Sequence, residues 1–599
     1  VLFTSVFSFP FLKKGRIDMC GIFGYTGSVI NVGSLCFKAL KKLEYRGYDS
    51  WGIAAIGDSL EVIKETGKLP ESAYTMKPGR MVIGHSRWAT HGGVTLENTH
   101  PHISMNRQAA LVHNGVVENH KDLKKLLISL GYKFISETDS EIIVQLYEHT
   151  RQTHDPISAL KETASLLQGN NAIVIMDIPA DLILATKKGS PIVLGKGREC
   201  SYIASDVIPL LESTDLFYYP DDNELLVLDK EKIFVRKRDG DCTLLTDFKK
   251  VSLSYADAEL GSYPHFLLKE VHEQPGILRR IALLNSDDLR RMRKFLNESS
   301  DLWFVACGTA FNAGLLATYF AARVGRCARA VYAHELPMLL GQIKDTSRVI
   351  ALSQSGETID VADAVLMLKN KGIMTAALLN VPESTVSRMV EEVLFLGAGP
   401  EICVLSTKAF SAMVANLYAL YSLDDNYRGV LLDAADAMSS MLCDEMIAQI
   451  EKLADEICKS DSLFIIGAGE YYPLALEAAL KIKEVSYIHA EAFASGELKH
   501  GVIALIEEGT PCLVFSPGTS ANDRTLIHAS EIRARGGRII SCSPEPLDWR
   551  DEHIKIEHEG MSFLFSALAF VQLLAYKCAC KKNLDPDKPR NLAKSVTVR

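Results

Sequence analysis

The chain of 599 residues is poor in several features that would each have fixed a class of answer. Its 13 cysteines are an odd number with no CxxC pair and no regular spacing, which argues for reduced thiols rather than a disulfide framework. There is no basic excess: a formal charge of −9 excludes a general nucleic-acid binder. No low-complexity tract is present, and no apolar run reads as long enough to cross a membrane, so a cytoplasmic chain without a membrane partner is expected. Neither the GxxxxGK[ST] of a nucleotide phosphate loop nor the spacing of GxGxxG occurs. Composition is 47% hydrophobic and 23% charged, with length enough for several buried cores.

The stretch Met19-Cys20-Gly21-Ile22-Phe23-Gly24 stands out. A thiol after a methionine becomes, once everything through Met19 is removed, a nucleophile with a free α-amine beside it. Such an amine has a pKa of about 7.7–8.0 and can act as a base, whereas an amide nitrogen cannot. Residues 1–18 are apolar and then basic (VLFTSVFSFPFLKKGRID), the reverse of a secretory signal. They read as an extension ahead of an initiating Met19, or as a propeptide cut before Cys20; the segment 1–19 is expected to be missing from the mature chain.

From Cys20 to about Asp247, short apolar runs alternate with amphipathic segments. Strands are predicted at 53–56, 81–84, 110–113, 172–176 and 182–186, and helices at 122–130 and 139–150. Polar groups gather at the strand ends: Tyr45 to Ser50, His85 to Gly92, His113-Asn114-Gly115 and Thr138-Asp139. An Asn-Gly at a strand end offers an amide and a close backbone N–H to one oxyanion, and Arg87 offers a fork for a carboxylate. Six histidines crowd this region (His85, His91, His100, His102, His113, His120), but their spacing matches no metal-binding pattern, and no metal is expected.

Together these residues resemble the glutamine amidotransferases of the N-terminal-nucleophile class over 20–247. The resemblance implies an αββα fold, Cys20 as nucleophile, its amine as base, and Asn114 and Gly115 as the oxyanion hole. It also implies a glutamine pocket of Arg87, Trp88, Thr90, His91 and Asp139, with Arg87 on the carboxylate, Asp139 on the α-amine and Trp88 as a gate for ammonia.

After a linker at 248–262, Phe266 to Arg280 reads as a helix interrupted at Pro275. The remainder contains a repeat. Leu302 to Thr309 reappears as Leu463 to Glu470, and Val349 to Ser353 as Cys512 to Ser516, each strand opening into a helix. That alternation predicts a doubly wound parallel sheet, twice. Ser353-Gln354-Ser355-Gly356-Glu357-Thr358 falls where such a sheet binds ligands, and its hydroxyls and helix N-terminus suit a small phosphate monoester. Lys481, Lys483, Glu484, His489, Glu491, Glu497, Lys499 and His500 fall within twenty residues, with Lys481 and Glu484 on one helical face. Lys594, in the apolar-alternating tail, is a candidate for a Schiff base with a carbonyl.

These stretches resemble the sugar isomerase (SIS) domains, expected at 263–435 and 436–585 with a tail at 586–599 closing the sugar site. The whole is therefore an expected α/β multi-domain chain, an αββα glutaminase domain followed by two doubly wound SIS domains. It resembles the family of fused enzymes that move the amide nitrogen of glutamine to fructose 6-phosphate and isomerise the product to glucosamine 6-phosphate. The resemblance implies Thr309, Ser353, Gln354, Ser355 and Thr358 at the sugar phosphate, with Ala310 where relatives carry Ser. It implies His500 for ring opening, Lys594 for the Schiff base, Glu484 for proton transfer between C1 and C2, and Lys481 for the enolate-like intermediate. No cofactor is implied, and a homodimer is. Two rivals carry less. An amidophosphoribosyltransferase would need an acidic Thr-Gly-rich diphosphate loop, and a non-enzymatic sugar-phosphate sensor would not need Glu484, His500 and Lys594 together.

Overall fold

A computed structural model describes residues 20–72, 75–88, 92–237, 240–250, 259–283, 287–422, 426–518, 524–547 and 549–594. The expected extension 1–19, Thr90, His91 and residues 595–599 lie outside the described residues. The chain divides into two compact units between residues 252 and 253.

The first unit is built on two antiparallel sheets. In the eight-stranded sheet, Gly21–Gly27 is central, paired with Met81–Arg87 on one side and Cys200–Ala204 on the other. In the seven-stranded sheet, Ala109–Gly115 pairs with Asn171–Asp177, which pairs with Leu182–Lys188. The two-residue period of a strand decides which layer each side chain joins. Ala110, Val112, Val174 and Met176 meet Ile22, Ala54 and Ile83 between the sheets. The alternate residues Leu111, Ile173 and Ile175 point the other way, into Ile142, Leu146 and Leu160 of the helices Glu141–Arg151 and Pro156–Leu166. On the outer side of the first sheet lies the helix Val32–Lys42, which buries Cys36, Phe37 and Leu40. The result is the αββα layering. The sheet runs further than expected: Lys249–Lys250 forms an edge strand with Leu216–Tyr218, so the unit extends past residue 247.

The second unit holds two five-stranded parallel sheets. Counted along each repeat, both have the spatial order 2-1-3-4-5. In that order the crevice between strands 1 and 3 is the switch point at which such sheets bind ligands. Leu302, Phe304 and Leu352 of one sheet share a single core with Leu463, Ile465, Leu513 and Phe515 of the other. Consistent with a shared core, the helix Tyr427–Ser440 runs straight across the boundary expected at 435/436.

Two expectations are corrected here. The helix Gly560–Lys581, at 22 residues with a mean hydropathy of 1.7 over its most apolar window, is long and apolar enough to span a membrane, contrary to the reading of the sequence. That window is 89% buried, and Phe563, Phe565, Leu568 and Leu573 lie inside the shared core, so its apolarity is explained by burial on all sides. The second correction concerns Pro275, which sits within a continuous helix Phe266–Leu283 rather than interrupting it. Proline cannot donate to the carbonyl four residues earlier, that of Val271. The Gln274 amide supplies the missing donor, at 3.1 Å from that oxygen. The same amide donates to Gln572 Oε1 at 2.6 Å, and its oxygen accepts from Ser411, so one buried side chain ties three helices together.

Candidate functional site

In the first unit, Cys20 immediately precedes the central strand, and the register Gly21↔Ser86 sets it against the end of the neighbouring one. The Trp88 N–H therefore reaches Cys20 Sγ at 3.3 Å, and the Cys20 thiol in turn faces the Trp88 carbonyl at 3.6 Å. The carbonyl of Cys20 accepts from Asn114 Nδ2 at 2.8 Å and from Arg46 Nε at 3.2 Å. The Asn114 amide is oriented from behind. His85 Nε2 faces two acceptors, the His113 carbonyl at 3.1 Å and Asn114 Oδ1 at 3.0 Å, so the proton sits on Nε2 and Asn114 turns its NH2 toward Cys20. Gly115 follows at φ +127°, and a Cβ there would lie 2.0 Å from the Asn170 carbonyl, so only glycine fits. Gly115→Ala is accordingly expected to destabilise this unit by about 2–4 kcal/mol, from backbone strain plus overpacking. Thermal unfolding would read the loss, and glutamine hydrolysis should fall with it.

The remaining members of the expected glutamine pocket are set as follows. Arg87 is buried and donates to the Gly93 carbonyl at 3.2 Å. Asp139 is buried and accepts from the Val117 N–H at 2.7 Å. The Trp88 ring stands edge-on to Tyr48, with centroids 5.1 Å apart. Thr90 and His91 lie outside the described residues.

The buried histidines bind protein groups. His113 bridges Ser140 and Asn171 at 2.8 Å each, His102 meets Thr138 at 3.0 Å, and His100 stacks on His85 at 4.1 Å. Burial pushes His85 down to about 3, and burial likewise lowers His100, His102 and His113. The sign of the pH dependence follows. The folded state keeps these rings neutral, while the unfolded chain protonates them near pH 6.5. Their stabilisation is thus complete above that pH and is lost as pH falls from about 6.5 toward their folded values, by up to about 1.4 kcal/mol per pH unit for each ring. The melting temperature of the first unit should fall steeply between about pH 6.5 and 4.5, and a fall shared equally by His85→Phe protein would refute the assignment to this cluster.

In the second unit the hydroxyl loop ends the third strand of the first repeat. Ser353 Oγ accepts from the Gly356 N–H at 3.0 Å and lies 3.3 Å from Thr358 Oγ1, while Ser355 Oγ accepts from the Glu357 N–H at 3.1 Å. Gln354 accepts from Asn380 N–H through its carbonyl at 3.1 Å. Gly356 takes φ +66° with no room for a Cβ beside Ser384. The Glu357 carboxylate grips Thr385 through its N–H and hydroxyl, both at 2.7 Å. These bonds shape the loop, and Thr358 holds the N-cap position of the helix Ile359–Asn370 without a side-chain capping bond, so the first N–H groups of that helix have no partner within it.

Thr309, expected at the sugar phosphate, is buried at the start of the helix Gly308–Arg323. Its hydroxyl donates to Glu477 Oε1 at 3.1 Å, and Asn312 donates to Glu477 Oε2 at 2.8 Å. Glu477, Lys481 and Glu484 line one face of the helix Tyr471–Ser486. Lys481 is 1% exposed, 2.6 Å from Glu484 and 3.4 Å from Glu477. Burial alone would lower the Lys481 ammonium, but Glu484 and then Glu477 outweigh it and hold it charged. Ala310 packs against the shared core.

Lys594 is buried, with Nζ 2.5 Å from Glu401 Oε2 and 3.2 Å from the Leu405 carbonyl. Glu401 in turn accepts from the Thr407 and Ala409 N–H groups at 2.9 Å each. Glu270 lies alongside, its carboxyl pushed up to about 8 by burial and by Glu401, and accepts from Ile402 and Cys403 N–H. His500 stands apart: it is exposed at the end of the short turn Leu498–His500, and among the described residues none hydrogen-bonds its ring. The structure therefore joins Lys481 to Glu484, Ser353 to Thr358 and Asn114 to Cys20, and leaves His500 outside these groups.

Sequence reasoning passed over Glu477, Glu401 and Glu270. Glu477 was within reach, since it lies four residues before Lys481 on the same face. Glu401 and Glu270 carry no local signal, because their partners come from 193 residues and 132 residues away in the chain.

Comparison with known proteins adds an independent line. The SIS domain family matches residues 295–423 and 456–548, and the glutamine amidotransferase domain family matches 85–212. The chain is 38% identical to the glutamine–fructose-6-phosphate aminotransferase (isomerizing) of Staphylococcus aureus (strain Mu50), over 97% of this chain and 100% of that one. Identity to the proteins of the same name from Listeria monocytogenes and Sulfurisphaera tokodaii is 38% and 35%, with the same shares covered. Among solved structures, the C-terminal domain of glucosamine-fructose-6-phosphate aminotransferase from Francisella tularensis is 30% identical with a TM-score of 0.51, over 54% of this chain and 99% of that one.

Proposed function

Because the chain belongs to the glutamine–fructose-6-phosphate aminotransferase (isomerizing) family, we propose that it transfers the amide nitrogen of glutamine to fructose 6-phosphate and isomerises the product to glucosamine 6-phosphate. The observation that carries this reading is the coexistence of two settings in one chain. One is a thiol beside an amide oriented by a neutral histidine, and the other is a buried Lys–Glu pair with a hydroxyl-lined helix N-terminus.

In the glutamine half, Cys20 Sγ attacks the side-chain amide carbonyl and its α-amine carries the proton to the leaving ammonia. Asn114 Nδ2 and the Gly115 N–H stabilise the oxyanion, and water then releases glutamate from the thioester. Arg87 pairs with the substrate carboxylate and Asp139 with its ammonium, while Trp88, Thr90 and His91 complete the pocket. Ammonia is nucleophilic only while unprotonated, so its passage to the sugar must exclude bulk water.

In the sugar half, Thr309, Ser353, Gln354, Ser355 and Thr358 hold the phosphate with the helix N-terminus, and Thr309 also meets the adjoining helix through Glu477. His500 opens the ring. Lys594 forms the Schiff base with C2, for which it must give up a proton; Glu401, its ion-pair partner, is placed to receive it. Ammonia displaces the lysine, and Glu484 moves a proton between C1 and C2 while the Lys481 charge steadies the enolate-like intermediate. The exposed position of His500 favours a role across a homodimer, and thirteen cysteines without a disulfide pattern suit the reducing cytoplasm.

Glutamine labelled with ¹⁵N at the amide, incubated with fructose 6-phosphate and the chain beginning at Cys20, should yield glucosamine 6-phosphate carrying the label and an equal amount of glutamate. Glutamate without labelled amino sugar would overturn the proposal.

A further inference from the structure

We infer that Cys307, His334 and Asp360 form a binding site for a divalent cation of the zinc class at the mouth of the first parallel sheet of the second unit, and that its occupation slows the sugar half-reaction.

The three residues come from three neighbouring places in the fold. Cys307 directly follows the strand Asp301–Ala306, and His334 comes two residues after Cys327–Tyr332, which pairs with it through Ala306↔Tyr332. Asp360 is in the first turn of Ile359–Asn370, the helix that follows the strand paired on the other side. One ligand atom from each lies within 4.8 Å of the others. Tetrahedral zinc has bonds of about 2.0–2.3 Å, which puts its ligand atoms roughly 3.3–3.7 Å apart, so about an ångström of side-chain movement closes the site. His334 has that freedom, its side chain being 52% exposed. Its ring is already steered by a stack in which Phe311 lies 3.7 Å from Tyr332 and Tyr332 5.5 Å from His334. The Glu335 carboxylate, 3.8 Å from His334 Nε2, adds negative charge at the rim.

The donor set decides the cation. Thiolate, imidazole and carboxylate together select a borderline-soft ion and disfavour magnesium and calcium, which take oxygen ligands. Three protein ligands leave a coordination position open to solvent. Burial and then Asp360 hold the Cys307 thiol up at about 11. Binding therefore exchanges the S–H proton for a sulfur–metal bond and releases one proton per ion. The first two residues beyond Cys307 lead to Thr309, and Asp360 lies two residues after Thr358, so an ion here would fix both edges of the crevice assigned above to the sugar phosphate. That inhibitory consequence rests on the proposed sugar site; the binding itself does not.

The test uses the metal-free full chain titrated with Co²⁺, whose bond to a thiolate has its own charge-transfer absorption. One equivalent should produce the band. Cys307→Ser should abolish it, His334→Ala should weaken binding at least about tenfold, and Cys327→Ser, at an exposed cysteine of the same sheet, should leave it unchanged. Zn²⁺ at saturating level should lower glucosamine 6-phosphate formation in the chain beginning at Cys20 far more than in its His334→Ala variant, with glutamine hydrolysis falling equally or not at all in both. A band that survives Cys307→Ser, or His334→Ala protein that binds as tightly as the unmodified chain, would overturn the site. Tight binding with equal inhibition of both proteins would overturn the inhibitory role. Failure of the chain to make the amino sugar at all would leave the Co²⁺ result standing and count against the proposed function alone.

Discussion

A chain that begins at Cys20 is expected to hydrolyse glutamine about 10²–10⁴-fold faster than one that keeps residues 1–19, the range a positioned general base supplies. The thiol needs a base that works near neutral pH, and the described groups that meet it offer few. His85 is linked to Cys20 through Asn114, but its Nε2 proton is committed to the His113 carbonyl and Asn114 Oδ1. Burial also makes that ring too weak a base, at about 3. The Trp88 N–H only donates to the sulfur, and the Trp88 carbonyl that accepts from the thiol is no base near neutral pH. Among these described groups, that leaves the nitrogen of Cys20 itself. As an amide it has no basic lone pair; as an α-amine of pKa about 7.7–8.0 it is matched to the task. Intact-mass measurement of the two forms, beside their glutaminase rates, decides the matter. Equal rates would show that the proton goes elsewhere, and Cys20→Ala in the processed form should reduce hydrolysis to background.

Much of this was legible in the sequence, for identifiable reasons. The strands at 110–113 and 172–176 could be seen as short apolar runs because both of their faces are buried, Val112 between the sheets and Leu111 against the helices. The doubled parallel sheet was visible because its central strands, among them Asp301–Ala306, Arg348–Ser353, Ser462–Gly467 and Pro511–Phe515, are buried on both faces and recur at nearly the same spacing. The hidden parts are those in which distant residues override a local rule. Pro275 looks like a helix breaker until Gln274 is seen to serve the Val271 carbonyl. Gly560–Lys581 looks safe for a core only once the other helices surround it. Within the site, Lys481 and Glu484 were found by their helical spacing. Glu401 was not, because nothing near it in the sequence announces that Lys594 will arrive there.

Glu484→Gln is expected to abolish amino-sugar formation by about 10²–10⁴-fold while glutamine hydrolysis and the melting temperature change little. The fold tolerates the change because Lys481 keeps a second carboxylate, Glu477, at 3.4 Å. Its charge is then still balanced, and a buried cation left without any partner is avoided. Glutamine matches the size of glutamate and can accept one hydrogen bond from Lys481, but it cannot exchange a proton with a sugar carbon. Glu477→Gln serves as the contrast. That carboxylate is fully buried and accepts from Thr309 and Asn312, so its replacement breaks the match between donors and acceptors on two helices. A loss of about 1–3 kcal/mol of stability is expected, with a smaller fall in rate. The two variants therefore separate a group that transfers a proton from one that positions its neighbour. If Glu484→Gln retained half of the activity, or if Glu477→Gln lost as much rate with no change in melting temperature, the roles assigned along this helix face would have to be exchanged.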